Sequence, residues 1–271
     1  MNLRQCIFTE NDCYHTGRTI VPKGVMVHST GANNPNLRRY VGPDDGLLGE
    51  NRNGNDWNHP GVDKCVHAFI GRLADGSVAV YQTLPWNWRG WHAGTGTSGK
   101  SANNTHISFE ICEDGLDDPD YFAAVYRAAV ELTAYLCREY SLDPLEDGVV
   151  ICHHEGYGRG SASGHADVEH WFPKFGKTMD DYRADVAAEL EENEVARYKY
   201  LADIPDQWNW RNIIRLLMDI GALSGDGSDP VGNGDVIDLS QDMVRMFVID
   251  YKAGAYDTKI RAAGIDPEMY R

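Results

Sequence analysis

VICHHEGYGRGSASGHADVEHW, residues 150–171, is the stretch on which the reading of this chain turns. It begins as an apolar run, passes through a Gly/Ser-rich turn, and gathers His153, His154, Glu155, His165, Asp167, Glu169 and His170. Such a gathering is either a solvated loop or part of a metal site, since imidazoles and carboxylates are the nitrogen and oxygen ligands that zinc takes. Extended backwards to GVVICHH, the apolar part has the length and near-continuous hydrophobicity of a buried strand. On that reading His153 ends a strand, and His154 points to the opposite face because successive side chains alternate.

Upstream, GVMVHST (24–30) is a second short apolar strand ending on a histidine, His28. CVHAFIGR (65–72) and SVAVYQTL (77–84) read as strands joined by ADG, whose Asp-Gly pair signals a hairpin. HISFEICE (106–113) is a further strand bounded by NNT and DG. From Pro119 to Tyr140, Phe122, Val125, Ala129, Leu132, Leu136 and Cys137 recur at helical spacing, and the acidic start DDPDYF suits a helix N-terminus. KTMDDYRADVAAELEENEVARY is helical again, with Thr178 at its start. Beyond about residue 195, WNWRNIIRLLMDIGAL reads as a helix ending at Gly221, followed by a Gly/Asp-rich loop and a helix capped by Ser240 or Asp238. The acidic ELEENE marks a boundary, giving two domains, 1–193 and 194–271.

A catalytic zinc site needs three protein ligands and an open position. His28 and His153, each at the end of an apolar strand, can point into one cleft, and Asp167 can fold back after the glycine-rich turn as the third. Cys152 beside His153 is a poor thiol–imidazole dyad, since strand neighbours face opposite sides. GTGTSG (94–99) is no phosphate loop, because no strand and helix flank it. Trp86, Trp88 and Trp91 are either a sugar-stacking platform or ordinary packing.

The chain has 271 residues, enough for one large or two ordinary domains, and 42% hydrophobic with 24% charged residues marks it as globular. A formal charge of −16 argues against nucleic acid as a partner, which would call for clustered Lys and Arg. No apolar run is long enough to span a membrane, and the N-terminal residues lack the apolar core of a signal peptide. The six cysteines show no CxxC pair and read as free thiols.

MVHST, GWHAGTGTSGKSANNTHISFEICED and VICHHEGYGRGSASGHADVEHWF, in that order, resemble the motifs of the zinc-dependent N-acetylmuramoyl-L-alanine amidases of the type-2 amidase family. That family includes phage endolysins and bacterial autolysins and is related to the peptidoglycan recognition proteins. The resemblance spans roughly residues 20–190. It implies an α/β fold, a central mixed β-sheet flanked by helices, followed here by a small α-helical C-terminal domain.

The resemblance also implies site roles. His28, His153 and Asp167 are the zinc ligands; His153 is preferred because Glu155 follows it in the family's His-x-acid pattern, with His154 the alternative. Glu110 matches the acid of the family's Asn-x-x-Ile-Gly-Ile-Glu motif and is the candidate general base. The sequence departs from the family where His165 stands in place of a lysine, and the interval from His153 to Asp167 is longer. His165 then donates to the oxyanion. Because histidine loses its charge near neutrality, activity is expected to fall as pH rises. His92 lines the cleft, with Trp91 packing beneath it.

The implied function is cleavage of the amide between N-acetylmuramic acid and L-alanine in bacterial peptidoglycan by zinc-activated water. The alternative is a non-catalytic peptidoglycan-binding protein of the same fold; the presence of both Asp167 and Glu110 favours catalysis. Trp208, Trp210, Ile213, Leu216, Leu217, Met243, Met246 and Phe247 suit a small core, a wall-binding module or a homo-oligomer contact. With no signal peptide visible, the reading is an endolysin held in the host cytoplasm until released, rather than an exported autolysin.

Overall fold

The apolar runs become a six-stranded sheet. In the computed structural model, which describes residues 1–97, 99–192, 197–206, 209–228 and 236–270, the strands are β1 (Leu3–Gln5), β2 (Gly24–Ser29), β3 (Ala68–Arg72), β4 (Val78–Gln82), β5 (His106–Ile111) and β6 (Val150–Cys152). Their order is β1-β4-β3-β5-β2-β6, and only the β3–β4 hairpin is antiparallel. The sheet is therefore mixed, as expected. Gly76, at φ +89°, supplies the left-handed residue of the Asp-Gly turn. β1 has no counterpart in the sequence reading, because three residues on a sheet edge carry too little apolar pattern.

α1 (Asp12–His15) is a single turn. α2 (Pro119–Tyr140) has the expected bounds, with Asp118 accepting from the backbone N–H groups of Asp120 and Tyr121. Its apolar stripe closes one face of the sheet: Val25, Val27, Ile107, Phe109 and Ile111 are buried with Phe122, Val125, Ala129 and Leu136. α4 (Met179–Glu192) adds Tyr182 and Val186 to the same core. Thr178 starts α4 in a reciprocal cap, its Oγ1 accepting from Asp181 N while Asp181 Oδ2 accepts from Thr178 N. The other face is covered by the N-terminal segment and the β2–β3 connection, through Phe8, Leu37, Tyr40, Phe69 and Tyr81. All six cysteines are free thiols.

The chain divides into two compact units, Met1–Glu191 and Glu192–Arg271. The second contains helices, as expected: α5 (Trp210–Asp219), α6 (Gln241–Lys252) and a short α7 (Asp257–Ala262). Ile213, Leu217, Val244, Tyr251 and Ile260 form its core. It also holds an antiparallel ribbon that the sequence reading did not include, β7 (Arg197–Tyr200) with β8 (Val236–Ser240). Ile237 and Leu239 are buried on either side of exposed Asp238, a period of two where the Gly/Asp-rich composition predicts loop and helix start. The helical reading of 177–198 likewise ran too far, since Arg197 and Tyr198 are strand. Ser240 caps α6, accepting from Met243 N at 3.1 Å, while Asp238 pairs with Arg197 at 2.7 Å. Trp208 and the expected 193/194 boundary lie outside the described residues.

Candidate metal centre

The site begins as a consequence of strand register. β2 and β5 run parallel with His28 opposite Glu110, so both side chains stand on the face away from α2. Val27 and Phe109, one residue earlier on each strand, point into the helix-covered core. His28 is 1% exposed, whereas Glu110 is half-buried with its Oε2 sealed from solvent and lacking a partner among the described residues.

His153 arrives differently from the expectation. The strand stops at Cys152, and His153 opens α3 (His153–Gly158), so a helical rotation rather than strand alternation separates it from His154. His153 is 5% exposed and faces His28; His154 turns to solvent and lies 3.5 Å from Glu169. Cys152 packs in the core beneath the sheet, on the α2 side, which leaves no thiol–imidazole dyad. Glu155, the acid of the His-x-acid pattern, does not join the site. It accepts from Cys152 N at 3.1 Å and pairs with Arg183 at 3.1 Å, fixing the first turn of α3.

Asp167 is delivered by the loop after α3. Ser161 N donates to Gly156 O and Ser163 N to Ala93 O, so the glycine-rich segment folds back over the sheet. Gly156 lets this segment come close to the sheet, since a Cβ there would sit 2.7 Å from Met26 Cε and 3.1 Å from Ala162 Cβ and would have to displace the Met26 tip. Further along, His170 is anchored by Nε2 to Glu113 Oε1 at 2.8 Å, and the same oxygen accepts from Ser29 Oγ at 2.5 Å.

Three donor atoms converge. His28 Nδ1 lies 3.0 Å from His153 Nδ1 and 3.2 Å from Asp167 Oδ2, and His153 Nδ1 is 3.7 Å from that oxygen. Zinc at bond lengths of about 2.0–2.1 Å in a tetrahedron sets ligand–ligand edges of about 3.3 Å. The three atoms span such a face, so the donor set fits a zinc-sized cation. The outer nitrogens are held too: His28 Nε2 is 3.0 Å from His92 Nδ1, and His153 Nε2 is 3.3 Å from Ser163 Oγ. With a cation on both Nδ1 atoms, each Nε2 would carry the proton and donate outward, the usual support for a ligating histidine.

The electrostatics agree with this arrangement. Burial, then the neighbouring His28, lowers His153 to about 4 and outweighs the pull of Asp167, so the ring is neutral and available as a ligand. Burial pushes the Asp167 carboxyl upward, but the hydrogen bond from His28 and the two imidazoles hold it below the usual range. Glu110 is raised well above its ordinary value, first by burial and then by Asp167 and Glu113.

A cavity of about 280 Å³ opens onto these atoms, lined by His28, Glu110, His153, His165 and Asp167 and by His92 and Trp91. His165 is exposed at the rim, its ring centroid 4.6 Å from that of His153. His92 is a lining residue that also braces His28. The three tryptophans do not form one platform: Trp86 packs toward Tyr135, Trp88 toward Tyr14, and Trp91 lines the cleft.

Sequence reasoning missed Ser163, Asn103, Lys64 and Trp57. Asn103 is fully buried and accepts from His92 N at 2.7 Å and Ala93 N at 2.9 Å, clamping the GWHAG segment. Its signal was an asparagine just before an apolar strand, which local pattern reads as turn. Lys64 and Trp57 line the cleft, the ammonium 4.7 Å from the indole centroid, and only the long β2–β3 connection brings them there.

No curated protein matches the chain. Among solved structures, a mutant of PlyL is 18% identical with a TM-score of 0.48, covering 69% of this chain and 99% of its own. A mutant endolysin from Bacillus subtilis is 24% identical with a TM-score of 0.46 over the same shares. Staphylococcus aureus hydrolase AmiA, in complex with its ligand, is 19% identical with a TM-score of 0.48, covering 70% of this chain and 83% of its own. The family model described as N-acetylmuramoyl-L-alanine amidase matches residues 17–173, more than half of the chain and the whole of the converging site, and the chain belongs to that family.

Proposed function

We propose that the chain is a zinc-dependent peptidoglycan hydrolase that cuts the amide between the lactyl group of N-acetylmuramic acid and L-alanine. The observation that carries this reading is the convergence of His28, His153 and Asp167, all donor pairs within 3.7 Å, beside a sealed carboxylate in one cleft. A zinc ion held there supplies Lewis acidity toward the scissile carbonyl and makes water a nucleophile near neutral pH.

The remaining work falls to the protein's own groups. Glu110, which lines the cleft, accepts the proton of the attacking water and passes it to the leaving amine. His165, at the rim, donates to the oxygen on which negative charge develops. His92 and Ser163 keep the two imidazoles in the tautomer that leaves Nδ1 free. Trp91 and Trp57 flank the cleft and limit the approach of bulk water.

A non-catalytic wall-binding role is disfavoured by the full donor set together with Glu110. Dye release from labelled cell walls, with chelator and after zinc is restored, tests the reading. Release that stops with chelator and returns with zinc is expected. Protein that binds walls yet leaves them intact in zinc would sink it.

The second unit is assigned to wall binding, as in an endolysin held inside the host until release. Met243, Met246 and Ile249, spaced by three along α6, are 38%, 55% and 65% exposed and offer an apolar stripe for that purpose. A truncation ending at Glu191 that retained full wall binding would remove the assignment.

A further inference from the structure

Two residues past the end of β5, Glu113 is 4% exposed and lies outside the lining of the metal cleft. Three segments meet on it. From β2, Ser29, the neighbour of His28, donates its hydroxyl to Glu113 Oε1 at 2.5 Å. From the turn that follows Asp167, His170 Nε2 lies 2.8 Å from the same oxygen. Glu113 N donates to Thr30 Oγ1 at 3.1 Å, and Thr30 N to Ile111 O at 3.0 Å, so the ends of β2 and β5 are laced together as well. One side chain thus joins the strand that carries His28, the strand that carries Glu110 and the loop that carries Asp167.

Each link is short in sequence. Ser29 is one residue from His28, and His170 is three from Asp167. Between Asp167 and His170 the chain is tightly turned, with Glu169 N donating to Ala166 O at 2.8 Å and Trp171 N to Val168 O at 2.9 Å. Trp171 is fully buried against Tyr121 and Phe122 of α2, which anchors the far side of this turn in the core. His170 Nδ1 is buried without a partner among the described residues, so Glu113 is the group that orients the ring.

A buried carboxylate is a poor device for stability, because its desolvation offsets what its partners return and an apolar replacement is often neutral or better. Its use is geometric. A metal centre needs donors held to within about 0.5 Å by groups that are themselves locked from behind.

We propose that Glu113 is a positioning residue: with Ser29 and His170 it holds His28 and Asp167 at the spacing of the metal ion while touching neither metal nor substrate. The inference rests on the amidase reading above and concerns the precision of its metal centre.

The test measures zinc affinity of the full chain by competition with a chromophoric chelator, alongside the urea midpoint of the metal-free protein. Glu113→Ala is expected to weaken zinc about 10- to 100-fold. Glu113→Gln keeps an acceptor for both neighbours and should stay within about threefold of the wild type. His170→Ala should weaken zinc about tenfold, and adding it to Glu113→Ala should cost nothing further, since the two act through one contact. A purely structural role predicts a lower urea midpoint with zinc affinity unchanged, and that result overturns the proposal. Additive losses in the double variant, or Glu113→Gln as weak as Glu113→Ala, overturn it too. Should Glu113→Ala not fold, His170→Ala, at a side chain 31% exposed, decides by itself: wild-type affinity there ends the proposal. A wild type that takes up no zinc removes the metal centre altogether, whereas zinc held equally by the wild type and both alanine variants removes the positioning role alone.

Discussion

Phe109 and Glu110 are neighbours on β5, yet they look to opposite sides of the sheet. Phe109 is fully buried under α2 among apolar side chains, and Glu110 stands beside His28 where the β2–β3 connection and the loop after α3 meet. The helix-covered face is dry and closed; the loop-covered face leaves a cleft at its carboxyl end. One fold thus separates stability from chemistry by a single residue of alternation, which a one-residue slip of register would invert.

The largest effect should come from the cleft side. His153→Ala removes one of the three proposed ligands; we expect wall hydrolysis to fall by about a thousandfold or more, with metal content lost while the fold persists. Near-normal activity with full zinc occupancy would break the contrast between the faces. The adjacent pair sharpens it. Glu110→Gln should lower kcat by about 10²–10⁴ with little change in the urea midpoint, since it replaces a half-buried acid with a neutral isostere. Phe109→Ala should instead cost about 3–5 kcal/mol of stability and leave the specific activity of folded protein intact. If both variants lose stability alike, the division of labour is wrong.

A smaller effect concerns pH. His67 accepts from Ser108 N at 3.0 Å through Nδ1, and its Nε2 lies 2.7 Å from Trp88 O, so a second proton would meet an N–H. Burial accordingly lowers it to about 4, against partial compensation from its backbone partners. The unfolded chain takes up that proton near pH 6.5 and the folded one only near 4, so the stabilisation is complete above about 6.5 and lost as pH falls. Denaturation midpoints should decline over that window by the equivalent of about 3 kcal/mol, and His67→Gln should flatten the slope. The smallest effect is expected at Ser163, where Ala should weaken zinc about 10- to 100-fold in a competition with chelator. No change there would mean that His153 needs no brace.

How far the site was legible follows from the range of each signal. His28 and Glu110 sit on strands that apolar runs and turns announce, and the motif resemblance adds Asp167. His153 lines the cleft from a helix rather than from the strand its local pattern predicts, because a strand that passes straight into a helix carries no boundary mark in GVVICHH. Ser163, Asn103 and Lys64 stayed hidden, since a serine in a turn, an asparagine before a strand and an exposed lysine look alike wherever they occur. The β7–β8 ribbon was missed for a related cause, its two short strands being separated by about 35 residues in sequence.

By itself, the sequence determined the elements whose pattern is local: the α2 stripe, the β3–β4 hairpin, the apolar strands and the alternation that sends their polar residues to one face. Tertiary structure alone decided which of those residues meet. His28, His153 and Asp167 are 125 and 139 positions apart from the first, and no periodicity reaches that far. Parallel register, a glycine that admits close approach, and a loop folded back over the sheet bring three donor atoms to the spacing of a metal ion.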